Sequence, residues 1–213
     1  MSGYRLFGSR RSGSAIAEAG LAIAGIDYRL IDAATWLPES ALAELHRVNP
    51  LGQIPTLVLP GGEVLTESAA ILIHLGLMHP ACGLLPDSAS GRAHVIRGLV
   101  YLAANCYSAI SVIDYPERWC ADADDDEPAK ERIRRGTRQR LYHHWEIFAD
   151  AFLLDRYLSG AAPGALDWMA SVVSRWAGTR SHLREARPAF ATLMDELDRH
   201  PAVTAVFSRH WEE

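Results

Sequence analysis

The sequence predicts a mixed α/β first domain followed by an all-α second domain, and three observations carry this. The first 80 residues alternate between strand-like and helix-like patterns. Residues 79–90 hold prolines, glycine and serines with little periodicity, which places a linker at 81–90 between a domain of residues 1–80 and one of 91–213. Beyond that point every long apolar pattern has helical spacing, and no segment reads convincingly as a strand.

Residues 4–7 form a short strand candidate that stops at Gly8. Residues 9–14 are small and polar, a loop or helix start. Residues 15–24 are rich in helix formers, and Gly25 suits the residue just past a helix end, where a left-handed backbone is wanted. Residues 27–31 alternate like a half-buried strand. Residues 38–48 read as a short helix with Pro38 in its first turn. Asn49, Pro50, Leu51 and Gly52 make a turn signal. Residues 54–59 are apolar and partly β-branched, a strand. The turn at Pro60, Gly61 and Gly62 lets residues 63–65 pair back on it antiparallel. Residues 66–78 then read as a helix, with Thr66 as its candidate N-cap and Ala69, Leu72, Ile73 and Leu77 as one apolar stripe.

In the second half, residues 92–113 form a long helix and the acidic stretch 119–126 a loop. Residues 128–158 form a second long helix, with Glu127 and Pro128 suited to its first turn and Gly160 to its end. Residues 165–177, 188–200 and 201–209 are shorter helices.

The bulk properties set limits. The chain has 213 residues, 49% hydrophobic and 22% charged, which is ordinary for a globular protein with a real core. A net charge of −5 argues against nucleic acid as the main partner. No run of ~18 uncharged apolar residues is present, so no membrane span is expected. Residues 1–11 are polar and basic, without the apolar stretch of a secretory signal. Cys82, Cys106 and Cys120 are odd in number and form no C-x-x-C pair, against both a thioredoxin-type redox site and a zinc ribbon. They read as free thiols of a reducing, cytoplasmic compartment. His143 and His144 lack metal-ligand spacing, and no metal is expected.

The run N-P-L-G-Q-I-P-T-L at 49–57, followed by G-G-E-V-L-T-E-S-A-A-I-L-I-H-L at 61–75, resembles the glutathione-transferase family. The resemblance extends along the whole chain in element order. It implies a thioredoxin-like N-terminal domain (β-α-β-α-β-β-α) and an all-helical C-terminal bundle. It also implies a cis bond before Pro55, leaving the N–H and C=O of Ile54 to pair with the cysteinyl part of glutathione as an added strand. Gln53 would add a polar contact. Ser68 would meet the γ-glutamyl carboxylate and Glu67 its ammonium. The physics agrees, because the free N–H groups at a helix start favour a carboxylate. The same residues can also serve as a helix cap and a first-turn acid.

A transferase of this kind needs glutathione as thiolate, and a hydroxyl at a helix start lowers the thiol pKa by bonding the anion. The tyrosine of the mammalian-type classes would fall at about Phe7, and the cysteine of the bacterial beta-type classes at about Gly13, so neither group is present. The loop looks nearer the serine classes without keeping their usual S-x-x-C-R spacing. Ser12, Ser9 and Ser14 compete for the role, in that order, with backbone amides alone as a further alternative. Arg10 and Arg11 add positive potential.

The resemblance builds the acceptor pocket partly from the first helix of the second domain. Tyr101, Asn105, Tyr107 and Ser108 are the candidates, with Tyr101, Asn105 and Ser108 sharing a face by spacing. Tyr115 and Trp119 would line its outer wall. Asp167 matches the family's capping box, but Gly164 stands where the box has Ser or Thr, so half of it is missing. The implied activity is conjugation of glutathione to a small, hydrophobic electrophile by a homodimer. The alternative is a non-catalytic binding or stress-adaptor protein of the same fold.

Overall fold

The computed structural model describes residues 3–34, 36–37, 39–120, 126–153 and 155–212. The N-terminal half builds a four-stranded sheet from β1 (Tyr4–Gly8), β2 (Tyr28–Asp32), β3 (Thr56–Val58) and β4 (Val64–Leu65), in the order β2-β1-β3-β4. β1 and β2 run parallel, as a strand–helix–strand unit requires, while β3 lies antiparallel to both β1 and β4. Successive β1 side chains serve opposite faces: Leu6 joins the main core, and Phe7 joins a small cluster with Ile31, Leu45 and Val58. Helices α1 (Ser14–Ile23) and α3 (Ser68–Met78) contribute to the main core, and α2 (Leu42–Val48) covers the smaller cluster through Leu45. Pro38 and residues 121–125, read above as a helix start and part of a loop, lie outside the described residues.

Helix α1 ends as its sequence asks. Gly25 adopts φ +66°, Ile26 N–H reaches the carbonyl of Leu21 and Gly25 N–H that of Ala22, which satisfies the last carbonyls in a Schellman pattern. The start of α3 differs from expectation. The helix begins at Ser68, and the residue before it, Glu67, has φ +65° with no side-chain cap, so Thr66 is not the N-cap. The apolar stripe differs as well. Ala69, Ile71, Leu72 and Leu75 are buried, Ile73 is only half-buried, and Leu77 is exposed. Helix α3 packs on α1, α4 and α7 at once, so tertiary contacts rather than one stripe decide which positions are covered.

The C-terminal half is helical: α4 (Ala89–Tyr101), α5 (Ser108–Asp114), α6 (Glu127–Phe152), α7 (Ala165–Val173), α8 (Thr179–Ala186), α9 (Pro188–Asp198) and α10 (Thr204–Trp211). Ser88 caps α4 by accepting from Gly91 N–H, and Asp126 caps α6 by accepting from Ala129 N–H. Between α4 and α5 a π-helical segment, Leu102–Tyr107, interrupts one continuous rod. By length and composition alone Ala89–Asp114 is apolar enough to cross a membrane; here it packs against α6 and α7. Helix α6 stops six residues short of the expected end, because residues 157–160 turn back on themselves in an isolated bridge. Helix α8 has no counterpart in the sequence reading.

All nine residues of α7 are buried. Asp167 in its first turn accepts N–H bonds from Leu158 (2.8 Å), Ser159 (3.0 Å) and Gly164 (3.0 Å). The acid half of the capping box is thus present and serves the loop before the helix. Burial pushes the Asp167 pKa up, while these N–H donors hold it down. The chain folds as a thioredoxin-like α/β unit followed by an all-α bundle.

Candidate functional site

A cavity of about 450 Å³ opens where the start of α1, the loop before β3 and the start of α3 face the π segment, α5 and Trp176. Its floor on the sheet side is Gln53, Ile54 and Pro55. The Ile54–Pro55 bond is cis. Among the turn and loop hydrogen bonds of the described residues, none uses the N–H or C=O of Ile54. The loop is braced from behind: Asn49 Nδ2 donates to the carbonyl of Gln53 (3.1 Å) and to Thr56 Oγ1 (2.9 Å), and Thr56 Oγ1 donates to the same carbonyl (2.8 Å). Two hydroxyl and amide donors on one carbonyl fix the peptide that leads into Ile54.

Glu67 and Ser68 line the next wall. Glu67 is exposed to the cavity. Ser68 is 4% exposed, and its hydroxyl has no hydrogen-bond partner. A buried hydroxyl left without a partner costs ~1–3 kcal/mol, so an acceptor or donor supplied from the cavity would recover that energy. It sits on the first turn of α3, where backbone N–H groups are also open to an anion.

The three candidate serines separate clearly. Ser12 lines the cavity, whereas Ser9 and Ser14 do not. All three are buried. Ser12 Oγ donates to the Ser9 carbonyl (2.7 Å) and accepts from Ser14 N–H (3.2 Å). Ser14 Oγ donates to the same Ser9 carbonyl (2.8 Å) and accepts from Ser9 N–H (3.1 Å). The two hydroxyls lie 2.8 Å apart. Each hydroxyl can donate to the Ser9 carbonyl or to the other serine, so both protons are engaged within the loop, and the serines close the turn that starts α1. Arg11 also lines the cavity, with φ +58°, and its N–H donates to His210 Nδ1 (3.1 Å). Arg10 turns away, to the carbonyl of Glu212 (2.9 Å).

On the helical side, Tyr107 and Ser108 line the cavity, and Tyr101 and Asn105 do not. The shared face expected of Tyr101, Asn105 and Ser108 is corrected here. The π segment widens the turn from i→i+4 to i→i+5 bonding and so rotates everything after it. The Tyr101 hydroxyl instead donates to the carbonyl of His144 (3.1 Å), with its ring against Phe148 and Phe152. Asn105 Nδ2 donates back to the Tyr101 carbonyl (3.2 Å). Ser108 Oγ is bonded to the carbonyl of Ala104 (2.6 Å). Tyr115 is a wall residue, with Arg118 4.1 Å over its ring, and Trp119 lies outside the lining. Burial raises the pKa of Asp114, a further wall residue.

Sequence reasoning missed Trp36, Ile110, Met169 and Trp176, which give the cavity its apolar side. No motif marks them; they come from four separate elements. Gly13 is also on the wall, and here a signal existed, since a glycine beside a helix start either frees the backbone or makes room.

A family model described as glutathione S-transferase, N-terminal domain, matches residues 15–77. The chain is similar to glutathione transferases. An uncharacterised transferase-like protein of Escherichia coli K12, YncG, is 38% identical over 57% of this chain, and the chain spans 59% of that relative's length, less than two thirds. Glutathione S-transferase GstA of Escherichia coli O157:H7 is 27% identical over 76% of this chain and 75% of its own. Among solved structures, a glutathione transferase homologue from Sulfitobacter with bound glutathione superposes with a TM-score of 0.83, at 20% identity and 97% coverage of both chains. That likeness concerns the fold.

Proposed function

We propose that this protein binds glutathione in the cavity and conjugates its sulfur to a small, apolar electrophile. The observation that carries the reading is the buried, unpartnered hydroxyl of Ser68 at the first turn of α3, beside Glu67 and across from the unpaired backbone of Ile54. Ser68 and the α3 amides would take the γ-glutamyl carboxylate, and Glu67 the ammonium. Ile54 would pair with the cysteinyl backbone and Gln53 would add a contact. With that orientation the thiol points to the start of α1 and the π segment. The thiol proton passes to solvent, and the thiolate forms a carbon–sulfur bond as the leaving group departs with its electron pair. Trp36, Ile110, Met169 and Trp176 offer the acceptor an apolar wall. Tyr107 and Ser108 border it, whereas Tyr101 and Asn105 have no part in this reading.

The engaged proton of Ser12 favours one alternative, a protein that holds glutathione without activating it. Titration calorimetry with glutathione and an aryl halide conjugation assay separate the readings: binding with turnover supports the transferase, binding without turnover the adaptor. No binding at millimolar glutathione, together with no effect of Glu67→Ala, would exclude both.

A two-fold homodimer of cytoplasmic location belongs to the same reading. Leu51, Leu77 and Met78 are large apolar side chains left exposed, and each would gain by pairing. Sedimentation velocity should give twice the chain mass, and a monomer would count against it.

A further inference from the structure

The geometry points to Tyr107, a residue of the helical half, as the group that donates a hydrogen bond to the bound thiol sulfur. This rests on the glutathione reading above.

A Cβ built on Gly13 would fall inside the Tyr107 hydroxyl and 2.9 Å from its ring Cζ. The hydroxyl therefore occupies the space that a side chain at residue 13 would fill. Gly13 is the residue immediately before α1, at the end of the cavity where the thiol of a ligand anchored on Ser68 and Ile54 would point. Residue 13 has no side chain to offer there, and its absence admits a phenol from the other half of the molecule.

The phenol is held for the task. Its ring stacks on Trp176 at 5.6 Å and 14°, which fixes its direction. It sits at the last position of the π segment, so the widened turn that moved Tyr101 and Asn105 off the cavity is what delivers Tyr107 to it. Its hydroxyl makes no hydrogen bond among the described residues, in contrast to Ser12, whose hydroxyl is bonded to the Ser9 carbonyl and the Ser14 hydroxyl. Burial, then the negative charge of Glu67, push its pKa up. It stays protonated and acts as a donor. The other charged groups on the cavity wall are Arg11, Arg118 and Asp114; the two arginines favour an anion and Asp114 opposes it.

The test is Tyr107→Phe in the full chain, with the thiol of bound glutathione titrated by ultraviolet thiolate absorbance. A hydroxyl-to-anion bond is lost, so the bound thiol pKa should rise by ~1–2 units, and turnover at about pH 6.5 should fall about tenfold. Glutathione affinity measured below the pKa of the bound thiol should stay within about threefold, which also shows that the variant folds. Ser12→Ala should move the pKa less. Gly13→Ala keeps the phenol but displaces it, and should shift the pKa the same way as Tyr107→Phe. A bound thiol pKa in Tyr107→Phe within about 0.3 units of the parent overturns this inference while leaving the transferase reading standing. A parent chain that binds no glutathione overturns both.

Discussion

Acidification from about pH 7.5 to about 4.5 should remove roughly 2.5 kcal/mol of folding stability through His210 alone. His210 lies on α10, 1% exposed, and ties the C-terminal helix to the site. Its Nδ1 accepts the N–H of Arg11 at 3.1 Å, so the ring is neutral with its proton on Nε2, which donates to Glu18 Oε1 at 2.8 Å. Glu18 is itself fully buried, and it receives the Tyr28 hydroxyl (2.9 Å) and the Arg209 guanidinium. Burial first, and then the positive charges of Arg209, Arg10 and Arg175, push the His210 pKa down to about 4 from 6.5. Between those values the unfolded chain binds a proton that the folded chain refuses, so stability rises with pH. The contribution is complete above the unfolded value and disappears as pH falls toward the folded one. A gap of about 2.5 units at about 1.4 kcal/mol each is ~3.5 kcal/mol when complete, of which about 2.5 kcal/mol is lost by about pH 4.5, still above the folded value.

The assay is denaturant unfolding across that pH range for the parent and for His210→Asn, which cannot take up a proton. Other carboxylates titrate in both proteins, so the informative quantity is the difference between them. That difference should shrink by about 2.5 kcal/mol on acidification, most steeply below about pH 6. A difference that stays constant, or grows as pH falls, would refute the assignment of a neutral His210 bonded to Arg11.

Three further outcomes follow from single contacts. Ser68→Ala should leave the stability of the unliganded protein unchanged or raise it by ~1 kcal/mol, because the hydroxyl is already unpartnered, while weakening glutathione about tenfold by calorimetry. Asp167→Asn should cost ~3 kcal/mol in denaturant unfolding, since an amide nitrogen would face N–H donors that now meet a carboxylate. Gly98→Ala should destabilise by ~1–3 kcal/mol despite its better helix propensity, as the new methyl would lie 2.5 Å from Leu166 Cδ2 and 3.1 Å from Phe152 Cδ1; an unchanged melting temperature would show that α4 and α7 can part.

Several features were legible in the chain because they are local. The glycine past the end of α1, the hairpin turn at Pro60–Gly62 and the strand alternations each act through neighbouring residues, whereas Gly160 does not end α6. The run 49–75 places Ile54, Glu67 and Ser68 within one short stretch of chain, and the structure brings these residues to one cavity. The limits of local reading appear at α3, where packing on several helices covers Ile71 and Leu75 and leaves Leu77 outside.

The helical side shows the same boundary more sharply. Spacing of four and three placed Tyr101, Asn105 and Ser108 on one face, and a single π segment undid it. Nothing in L-A-A-N-C-Y announces that wider turn, which packs against α6 and α7. By itself the sequence determined the order of elements as far as α3 and the strand–turn–helix that frames Ser68. Only the tertiary structure decided how the hydroxyls around the start of α1 are arranged. Ser12 is bonded to the Ser9 carbonyl and the Ser14 hydroxyl close by in the chain, while Tyr107, from the other half of the chain, reaches the space beside Gly13.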